Sequence, residues 1–417
     1  MNSDAKVRKN EELFRPLPAK YTKTSNRMLT RIQALRRFRL AVSLFFFVQG
    51  AVFATWANRI PDIKSALQLS DAALGTVLFS IPVGQMTAMY LSAWLINRFG
   101  SRRMLTLGAL LYPLMLLPLG MAGNAWLLSA GLFLFGMSGN LCNIAANTQG
   151  VNLEHFYARS IMASLHGLWS LGGFLGGVIS MSFIALEIRP WTHFLLVTAL
   201  VIVLTTYMRR LLVRHDWKPA QTSGKTIEKK RIPLRQRLDR YVLLLGGMSF
   251  CAMVCEGSMY DWSGLYFQQV VGAPDKLVQL GYVTCMCTMT IGRFVADYFV
   301  SRFGAQRIVR LSGLLICFGL LLAVLLPDVL PATIGFFFVG FGISSTVPVC
   351  YSIAGHSTRM NPGTALATVS SIGYLGFLLW PPVIGHLSQA ITLHWTFAIV
   401  AFFGLLIALG ASRLPRV

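Results

Sequence analysis

Long apolar segments recur along the whole length of this sequence. Runs of about 20 apolar residues, enough to cross a hydrocarbon core of about 30 Å as a helix, can be placed twelve times in its 417 residues. No soluble core would hold that many, whereas lipid accepts helices because they satisfy every backbone hydrogen bond within one segment. The sequence therefore predicts an all-α integral membrane protein with 12 transmembrane helices.

The predicted spans follow one another closely. They lie near residues 40–59, 71–96, 103–121, 125–150, 160–186, 190–211, 241–266, 277–300, 307–326, 331–354, 364–387 and 393–412. Composition agrees with this prediction, since only 12% of the residues are charged, against about 25% in soluble domains.

Basic residues are concentrated beside the apolar segments. Of the 37 Lys and Arg residues, 11 lie between Met1 and Arg39 and 11 between Arg209 and Arg240. Base-stacking aromatic residues are not interleaved with them, which argues against nucleic acid as a partner. They are typical instead of topology determinants that face the lipid bilayer. Placing the N-terminus inside puts 32 of the 37 on the cytoplasmic side, so we expect both termini to be cytoplasmic.

Sequence patterns for catalysis or metal binding are missing. The seven cysteines all fall within apolar segments, where buried free thiols are a simpler interpretation than a metal cluster or disulfides. No Walker motif, nucleophile elbow or spaced set of His and carboxylate residues is present. We therefore expect no enzymatic activity, no cofactor and no metal.

The two halves of the chain repeat each other. "LGTV" at Leu74–Val77 returns as "LGYV" at Leu280–Val283, and "NRFGSRR" at Asn97–Arg103 returns as "SRFGAQR" at Ser301–Arg307. Six spans per half keep the copies in the same orientation, which predicts a parallel repeat of two six-helix bundles. The predicted division is a basic cytoplasmic tail at 1–38, an N-terminal bundle at 39–211, a basic cytoplasmic linker at 212–240, a C-terminal bundle at 241–412 and a tail at 413–417.

The paired loops resemble the signature of the major facilitator superfamily, in which an Asp-Arg-x-Gly core is followed by basic residues. Four further segments resemble a largely uncharacterised branch of bacterial inner-membrane members, distantly similar to proton-coupled fucose permeases: "WANRIPDIK" (Trp56–Lys64), "EGSMYDW" (Glu256–Trp262), "TIGRF" (Thr290–Phe294) and "GYLGFLLWPPVIG" (Gly373–Gly385). The resemblance implies the major facilitator fold, and alternating access to a small solute bound near the midplane. Asn97 and Ser301 stand where the signature has Asp.

Span four carries a stripe of amide side chains. Asn140, Asn143 and Asn147 lie at spacings of three and four, which places them on one face of a helix. Lipid offers no hydrogen-bond partners, so the stripe faces either neighbouring helices or a water-filled cavity. Because fourth helices line the cavity in the family that the chain resembles, the stripe is a candidate wall for a polar neutral solute. Gln49, at the place in span one that Glu256 holds in the repeat, is a further cavity candidate.

Two acidic residues interrupt span seven. Glu256 lies 15 residues after Tyr241 and Asp261 lies 20 residues after it, at depths of about 22 Å and about 30 Å. Glu256 stays inside the membrane, where a carboxyl group is a candidate for proton coupling; hydrogen bonds to neighbouring helices are the alternative. Asp261 reaches the outer surface, as Arg59 does in span one, and we hypothesise an outer-gate ion pair between them.

The predicted cytoplasmic ends carry a second group of charges. Arg293 and Asp297 in span eight are spaced to pair at i and i+4, and both are candidates for a cytoplasmic gate. Contact with an anion or solute is the alternative for Arg293, and hydrogen-bonded packing is the alternative for His166. The remaining gate candidates are Glu154, His166, Arg98 and Arg302.

These observations predict a secondary active transporter of a small polar solute, which works by alternating access, is coupled to protons and is monomeric. We expect it to be multi-pass in a bacterial inner membrane. A drug or metabolite exporter is a variant of this prediction. A non-transporting sensor or scaffold with the same fold is the alternative class, because Asn97 and Ser301 depart from the signature.

Overall fold

Helices make up the part of the chain that the structure describes. The computed structural model describes residues 19–157, 161–213, 216, 239–355 and 362–414, and these residues contain no strand. Ten helices in these ranges are long and apolar enough to cross a membrane. The expected all-α membrane architecture is confirmed, whereas most of the predicted linker at 212–240 lies outside the described residues.

The first half of the chain is a series of helices separated by short turns. The bounds are α1 (Ala19–Ala57), α2 (Ile60–Ala66), α3 (Asp71–Leu78), α4 (Ser80–Phe99), α5 (Ser101–Leu114), α6 (Leu116–Gly120), α7 (Ala125–Tyr157), α8 (Met162–Ala185) and α9 (Pro190–Met208). Pro61 and Pro190 lie in the first turns of α2 and α9. Proline suits that position because its fixed φ is helical and the missing N–H has no partner there anyway.

The second half contains longer helices. The bounds are α10 (Arg240–Gln269), α11 (Leu280–Phe303), α12 (Ala305–Leu325), α13 (Val329–Gly355) and α14 (Pro362–Ala411). Asp239 caps α10 by accepting a hydrogen bond from the Tyr241 backbone N–H at 2.7 Å. Most of α10 is buried, because α11, α13 and α14 all pack on it.

Two helices account for the difference between ten candidate spans and the twelve predicted. α14 runs over 50 residues but contains Thr392 in a non-helical conformation (φ 74°, ψ 155°), where two helices meet. Thr392 lies between the predicted spans at 364–387 and 393–412. α11 has 24 residues but carries Arg293, Asp297 and Arg302, and it is not among the ten.

The two copies of the repeated loop have the same backbone conformation. Gly100 (φ 86°, ψ 148°) separates α4 from α5, and Gly304 (φ 85°, ψ 149°) separates α11 from α12. A residue with a side chain would be strained at this positive φ. The sequence repeat is therefore also a repeat of local structure.

The first of these loops is anchored by the chain that follows α9. Asp216 accepts hydrogen bonds from the Ser101 backbone N–H at 2.8 Å, from Ser101 Oγ and from Asn152 Nδ2 at 2.9 Å. Gln149 Nε2 also donates to Ser101 Oγ, at 2.7 Å. A carboxylate at the first turn of α5 satisfies a free N–H and favours the positive end of the helix dipole. Asp216 thus brings an acid to the loop whose signature position is Asn97.

The helices pack mainly within their own half of the chain. α1 packs on α8 and α4 on α7 in the first half, and α10 packs on α14 and α12 on α13 in the second. Between the halves, the main contacts join α8 to α11 and α3 to α14. Gly75 of α3 allows a close approach there, because a Cβ at this position would lie 2.5 Å from the Pro381 carbonyl oxygen of α14. These two seams position the candidate site.

Candidate functional site

A buried ion pair lies where three helices from the two halves meet. Glu256 of α10 is 7% exposed, and its Oε1 lies 2.9 Å from Arg293 Nη2 of α11. The other terminal nitrogen of Arg293, Nη1, donates to Ser170 Oγ of α8, in the other half of the chain. The two charges therefore compensate each other among packed helices, and Arg293 also connects the two halves through Ser170.

Tyr260 extends this site from the next turn of α10. Its hydroxyl donates to Glu256 Oε1 at 2.5 Å. Four aromatic rings surround the Tyr260 ring at centroid distances between 5.4 and 6.5 Å. They are Phe53 and Trp169 from the first half and Tyr282 and Phe377 from the second. Together with Tyr260 they form an aromatic layer beside the ion pair, to which both halves contribute.

The partner of Arg293 differs from the one predicted. Spacing favoured Asp297 at i+4, but Asp297 is exposed and the guanidinium contacts Glu256 instead. An exposed carboxylate keeps its hydration, whereas Glu256 would be buried without a counter-ion, so pairing is more favourable at Glu256. Glu256 is thus not the isolated acid suggested by its position in the sequence.

Arg59 is held within its own half of the molecule. It is 3% exposed, and its Nη1 lies 2.6 Å from Asp62 Oδ2. Its Nη2 donates to the Ile188 carbonyl at 2.7 Å, and its Nε donates to His193 Nδ1 at 3.2 Å. All three guanidinium nitrogens are occupied, so the predicted pair with Asp261 is not formed in this conformation. Among the described residues, Asp261 is in no ion pair.

The turns around Arg59 explain why its position along the span did not identify its partner. Arg59 follows the end of α1, and the turn into α2 carries its side chain to the turn between α8 and α9. A polar cavity of about 440 Å³ opens beside it. Both halves line this cavity with basic and acidic side chains: Arg59, Asp62, Glu187, Arg189, Asp275 and Lys276.

The two halves meet closely at this end of the molecule, which the sequence predicts to be the outer end. Gln279 Nε2 donates to the Asn58 carbonyl oxygen at 2.7 Å. Ser388 Oγ donates to one oxygen of Asp71, whose other oxygen lies 2.6 Å from Lys64 Nζ. We call these residues the outer seam: Asn58, Lys64, Asp71, Gln279 and Ser388. Its bonds between the halves are made by uncharged donors, not by Arg59 and Asp261.

The amide stripe is only partly satisfied by the protein itself. Asn147 Nδ2 donates to the Asn143 backbone oxygen at 2.9 Å and to its side-chain oxygen at 3.0 Å. Asn143 is exposed, while Asn140 Oδ1 is buried and has no hydrogen-bond partner among the described residues. Gln49 is buried and donates to the Phe45 carbonyl of its own helix at 3.2 Å. The exposed side chain of Asn143 is therefore accessible to a solute, whereas the unpartnered oxygen of Asn140 is enclosed by protein in this conformation.

Glu154, a predicted gate residue, caps a helix in this structure. Its Oε1 accepts hydrogen bonds from the backbone N–H groups of Ile161 and Met162, at 2.7 and 3.0 Å. These N–H groups lie at the start of α8, where helices have no internal partners for them. Because α8 also carries Ser170, Glu154 helps to fix the helix that contacts Arg293.

The other predicted gate residues lie on the surface of the described structure. His166 packs its ring edge-on against Phe46 at a centroid distance of 5.3 Å. Arg98 lies over the ring of Trp94 at 5.4 Å, and Arg302 is exposed. These three side chains form no ion pair with a described residue.

Several polar residues that join the halves were missed by sequence reasoning. Ser170, Gln279 and Ser388 are single uncharged residues in apolar surroundings, and their spacing does not distinguish them. Tyr260 could have been found, because it lies four residues after Glu256 and so shares its face of α10. The site thus offers a carboxylate, a guanidinium and two hydroxyl groups in one hydrogen-bonded chain, which can bind a polar solute or hold a proton. Within the described ranges, no group of His, Cys, Asp and Glu side chains is arranged to hold a metal.

Known proteins match this chain over most of its length. A family model described as Major Facilitator Superfamily matches residues 40–361 and 291–416. An uncharacterized MFS-type transporter of Yersinia pestis is 30% identical over 378 residues, which are 91% of this chain and 96% of the relative. A mutant of the nucleoside transporter NupG superposes with a TM-score of 0.74 at 10% identity, over 90% of this chain and 99% of its own. A D-xylose-proton symporter gives 0.72 at 15% identity, over 91% and 98%. At these identities the two solved structures support the fold alone.

Proposed function

Because the chain belongs to the major facilitator superfamily, a family of transporters and not of enzymes, we propose that it moves a small polar solute by alternating access and is coupled to protons. It is a multi-pass membrane protein. We place it in a bacterial inner membrane, as a monomer with both termini in the cytoplasm.

The proposed architecture has 12 membrane-spanning helices in two six-helix bundles, at 39–211 and 241–412, with a cytoplasmic linker between them. The interruption of α14 at Thr392 supports this count, because it divides one long element into two of spanning length. The length of α11 supports it too, since 24 residues rise about 36 Å as a helix.

The observation that carries the proposal is the link from Glu256 through Arg293 to Ser170. Glu256 pairs with Arg293 in its own half, and Arg293 contacts Ser170 in the other half. The surroundings of the carboxylate therefore depend on the relative position of the two halves. Charges of this kind within a membrane are costly, and they commonly mark ion or proton pathways. Relative motion of the bundles would change the surroundings of Glu256, which is what proton coupling requires.

The outer seam supports an alternating-access cycle. Its contacts describe a conformation that is closed at the predicted outer end, so solute exchange takes place from the cytoplasmic side. Asn140 and Asn143 provide the solute-facing amides in this proposal, with Asn147 and Gln49 behind them. The outer-gate pair of Arg59 and Asp261 is expected when the protein opens inward, and in this conformation the bonds of the outer seam stand in its place. The cytoplasmic gate of Arg98, Glu154, His166, Asp297 and Arg302 closes when the outer seam opens.

Reconstitution tests the proposal. Purified protein is first screened by thermal unfolding against a solute library, because a ligand of the folded state raises the unfolding temperature. The solutes that stabilise it are then added to proteoliposomes that contain a pH-sensitive dye. We expect solute-dependent proton movement in the wild type and in Asp328→Asn, an exposed control acid. In Glu256→Gln we expect no proton-driven accumulation but retained solute exchange. Full proton coupling in Glu256→Gln contradicts the role of Glu256.

A sensor or scaffold is the second candidate, and one observation favours it. The signature positions hold Asn97 and Ser301, and the first loop is held by Asp216 instead. These bonds fix the loop within its own half, and position 97 lacks the acid that the family signature has there. Solute binding without solute or proton movement in proteoliposomes supports this candidate over the transporter.

A further inference from the structure

Arg293 presents its two terminal nitrogens to two different acceptors. Nη2 contacts the carboxylate of Glu256 at 2.9 Å, and Nη1 donates to the hydroxyl of Ser170. A guanidinium in this geometry matches the two oxygens of a carboxylate, and Arg is the residue that proteins use most for such paired contacts. Here only one of the two positions holds a carboxylate oxygen.

Glu256 uses only one of its oxygens in this arrangement. Both Arg293 Nη2 and Tyr260 OH contact Oε1, and no described residue donates to Oε2. Oε2 is therefore the atom that can take up a proton without first breaking a hydrogen bond. A proton there removes the negative charge from the pair and leaves the guanidinium as an uncompensated charge among packed helices.

From this geometry we propose that Arg293 and Ser170 form a carboxylate-binding site, which Glu256 occupies in the present conformation. When Oε2 of Glu256 is protonated, Arg293 releases Glu256 and binds a carboxylate of the transported solute. The inference rests on the proposed transport function and narrows its solute to acids. An acid thus takes the place of the uncharged solute that the amide stripe indicated. Asn140 and Asn143 contact the polar part of this acid outside its carboxylate.

The proposal makes proton binding and anion binding mutually dependent. A proton on Glu256 favours a carboxylate at Arg293, and a carboxylate at Arg293 favours the proton, because each restores the charge balance that the other disturbs. One proton and one monovalent carboxylate then cross the membrane together, so the step moves no net charge. Uptake of such an acid is driven by the pH difference across the membrane and not directly by its voltage.

Other titratable groups face the pair from the neighbouring helices. Tyr260 and Cys285 interact electrostatically with both Glu256 and Arg293, Tyr351 of α13 interacts with Glu256, and His166 of α8 interacts with Arg293. Of these, His166 carries an imidazole, the side-chain type whose ordinary pKa lies nearest to the pH range of the test. The test must therefore separate its effect from that of Glu256.

Formate, the smallest carboxylate, serves as the probe. Unfolding temperatures of the purified full-length protein are measured in sodium formate and in sodium chloride of equal ionic strength. In Glu256→Ala, we expect formate to raise the unfolding temperature saturably, by about 2 °C or more relative to chloride. In Glu256→Ala/Arg293→Ala we expect no formate-specific rise. If Glu256→Ala cannot be purified, the same comparison is made with Glu256→Gln and Glu256→Gln/Arg293→Gln.

The pH dependence completes the test. In the wild type, we expect the formate-specific rise to be larger at pH 5.5 than at pH 7.5, because formate binding is linked to proton uptake, whereas in Glu256→Ala it is the same at both. A rise in Glu256→Ala that appears only at pH 5.5 assigns the anion to His166 and overturns the proposal. So does the absence of a rise in the single variants, or an equal rise in the double variants.

These measurements do not depend on transport. If proteoliposomes show no solute or proton movement, the proposed transport function is refuted, but the formate result still stands. Conversely, a failed formate test removes the carboxylate site and leaves proton-coupled transport of an uncharged solute in place.

Discussion

Two arginines inside this molecule are each paired with an acid, but in different ways. Arg59 pairs with Asp62, three residues away, and its other contacts lie in the same half of the chain. Arg293 pairs with Glu256, 37 positions away, and reaches Ser170 in the other half. Both pairs lie within one half, but moving the halves apart would break the contact of Arg293 with Ser170 and none of the bonds of Arg59. Under the proposed function, the second arginine is therefore the one that can link a charge to transport.

Removing Arg293 should have the largest effect on stability. Arg293→Ala leaves Glu256 charged and buried without a counter-ion, and breaking a buried pair in this way costs about 3–5 kcal/mol of unfolding free energy. The loss is measured by denaturant unfolding in detergent. Glu256→Gln/Arg293→Gln is the matched variant, and we expect it to recover more than half of the loss, since neither charge remains. A double variant as unstable as Arg293→Ala contradicts the charge argument and points to lost packing.

Removing Arg59 should cost less. Arg59→Gln leaves the His193 ring and the Ile188 carbonyl short of a donor, at about 1–3 kcal/mol, but Asp62 is 35% exposed and regains water. Asp62→Asn is the matched change, and we expect it to cost more than Arg59→Gln, because it leaves the buried guanidinium of Arg59 without its acid. Solute exchange in proteoliposomes should be retained by both variants. Exchange lost in Arg59→Gln at unchanged stability shows instead that Arg59 acts in the transport cycle.

Removing a bond of the outer seam should cost less energy than either arginine substitution. We expect its effect to be a change in the distance between the halves. Ser388→Ala removes a hydrogen bond between the halves at a cost of about 1 kcal/mol, which changes a two-state population about fivefold. Spin labels at Ser65 and Gln389, both exposed near the seam, report the distance between the halves. We expect a larger fraction of long distances in Ser388→Ala.

Lys64→Met is the control for the seam, because Lys64 contacts Asp71 within one half only. We expect its distance distribution to match that of the wild type. Equal broadening in both variants contradicts this assignment, because it shows that the Lys64–Asp71 contact, which lies within one half, matters as much for the seam as the bond from Ser388.

Features that repeat along the chain could be predicted from the sequence, and so could the fold. Apolar length predicted the helices, and the motif residues predicted the family. The repeated loops predicted two related halves, and the structure adds that both loops share one backbone conformation at Gly100 and Gly304. These signals are local, or they recur at a fixed offset, so a single sequence contains them. Even the interruption at Thr392 falls in a gap between predicted spans.

Partners across helices could not be predicted in the same way. The position of Glu256 along its span was a sound reason to select it, but which cation it meets depends on how α10 and α11 rotate against each other. Asp297 was nearer to Arg293 in sequence, and Glu256 is nearer in space. Uncharged residues such as Ser170 and Gln279 matter because of the contacts they make with the other half. Nothing in the neighbouring sequence indicates these contacts.

Glu256 and Asp261 lie on the same helix, but replacing each by its amide should affect proton coupling very differently. Asp261 is in no ion pair with a described residue, so Asp261→Asn disturbs no charge balance. Because Asp261 is partly buried, replacing its carboxylate by a neutral amide also removes a desolvation cost, so we expect the free energy of unfolding to stay the same or to rise. Proton-coupled uptake in proteoliposomes should therefore stay close to that of the wild type, while Glu256→Gln loses it. If Asp261→Asn abolishes proton coupling as well, both acids belong to the proton path, and the pairing of Glu256 with Arg293 is not sufficient to select the coupling residue.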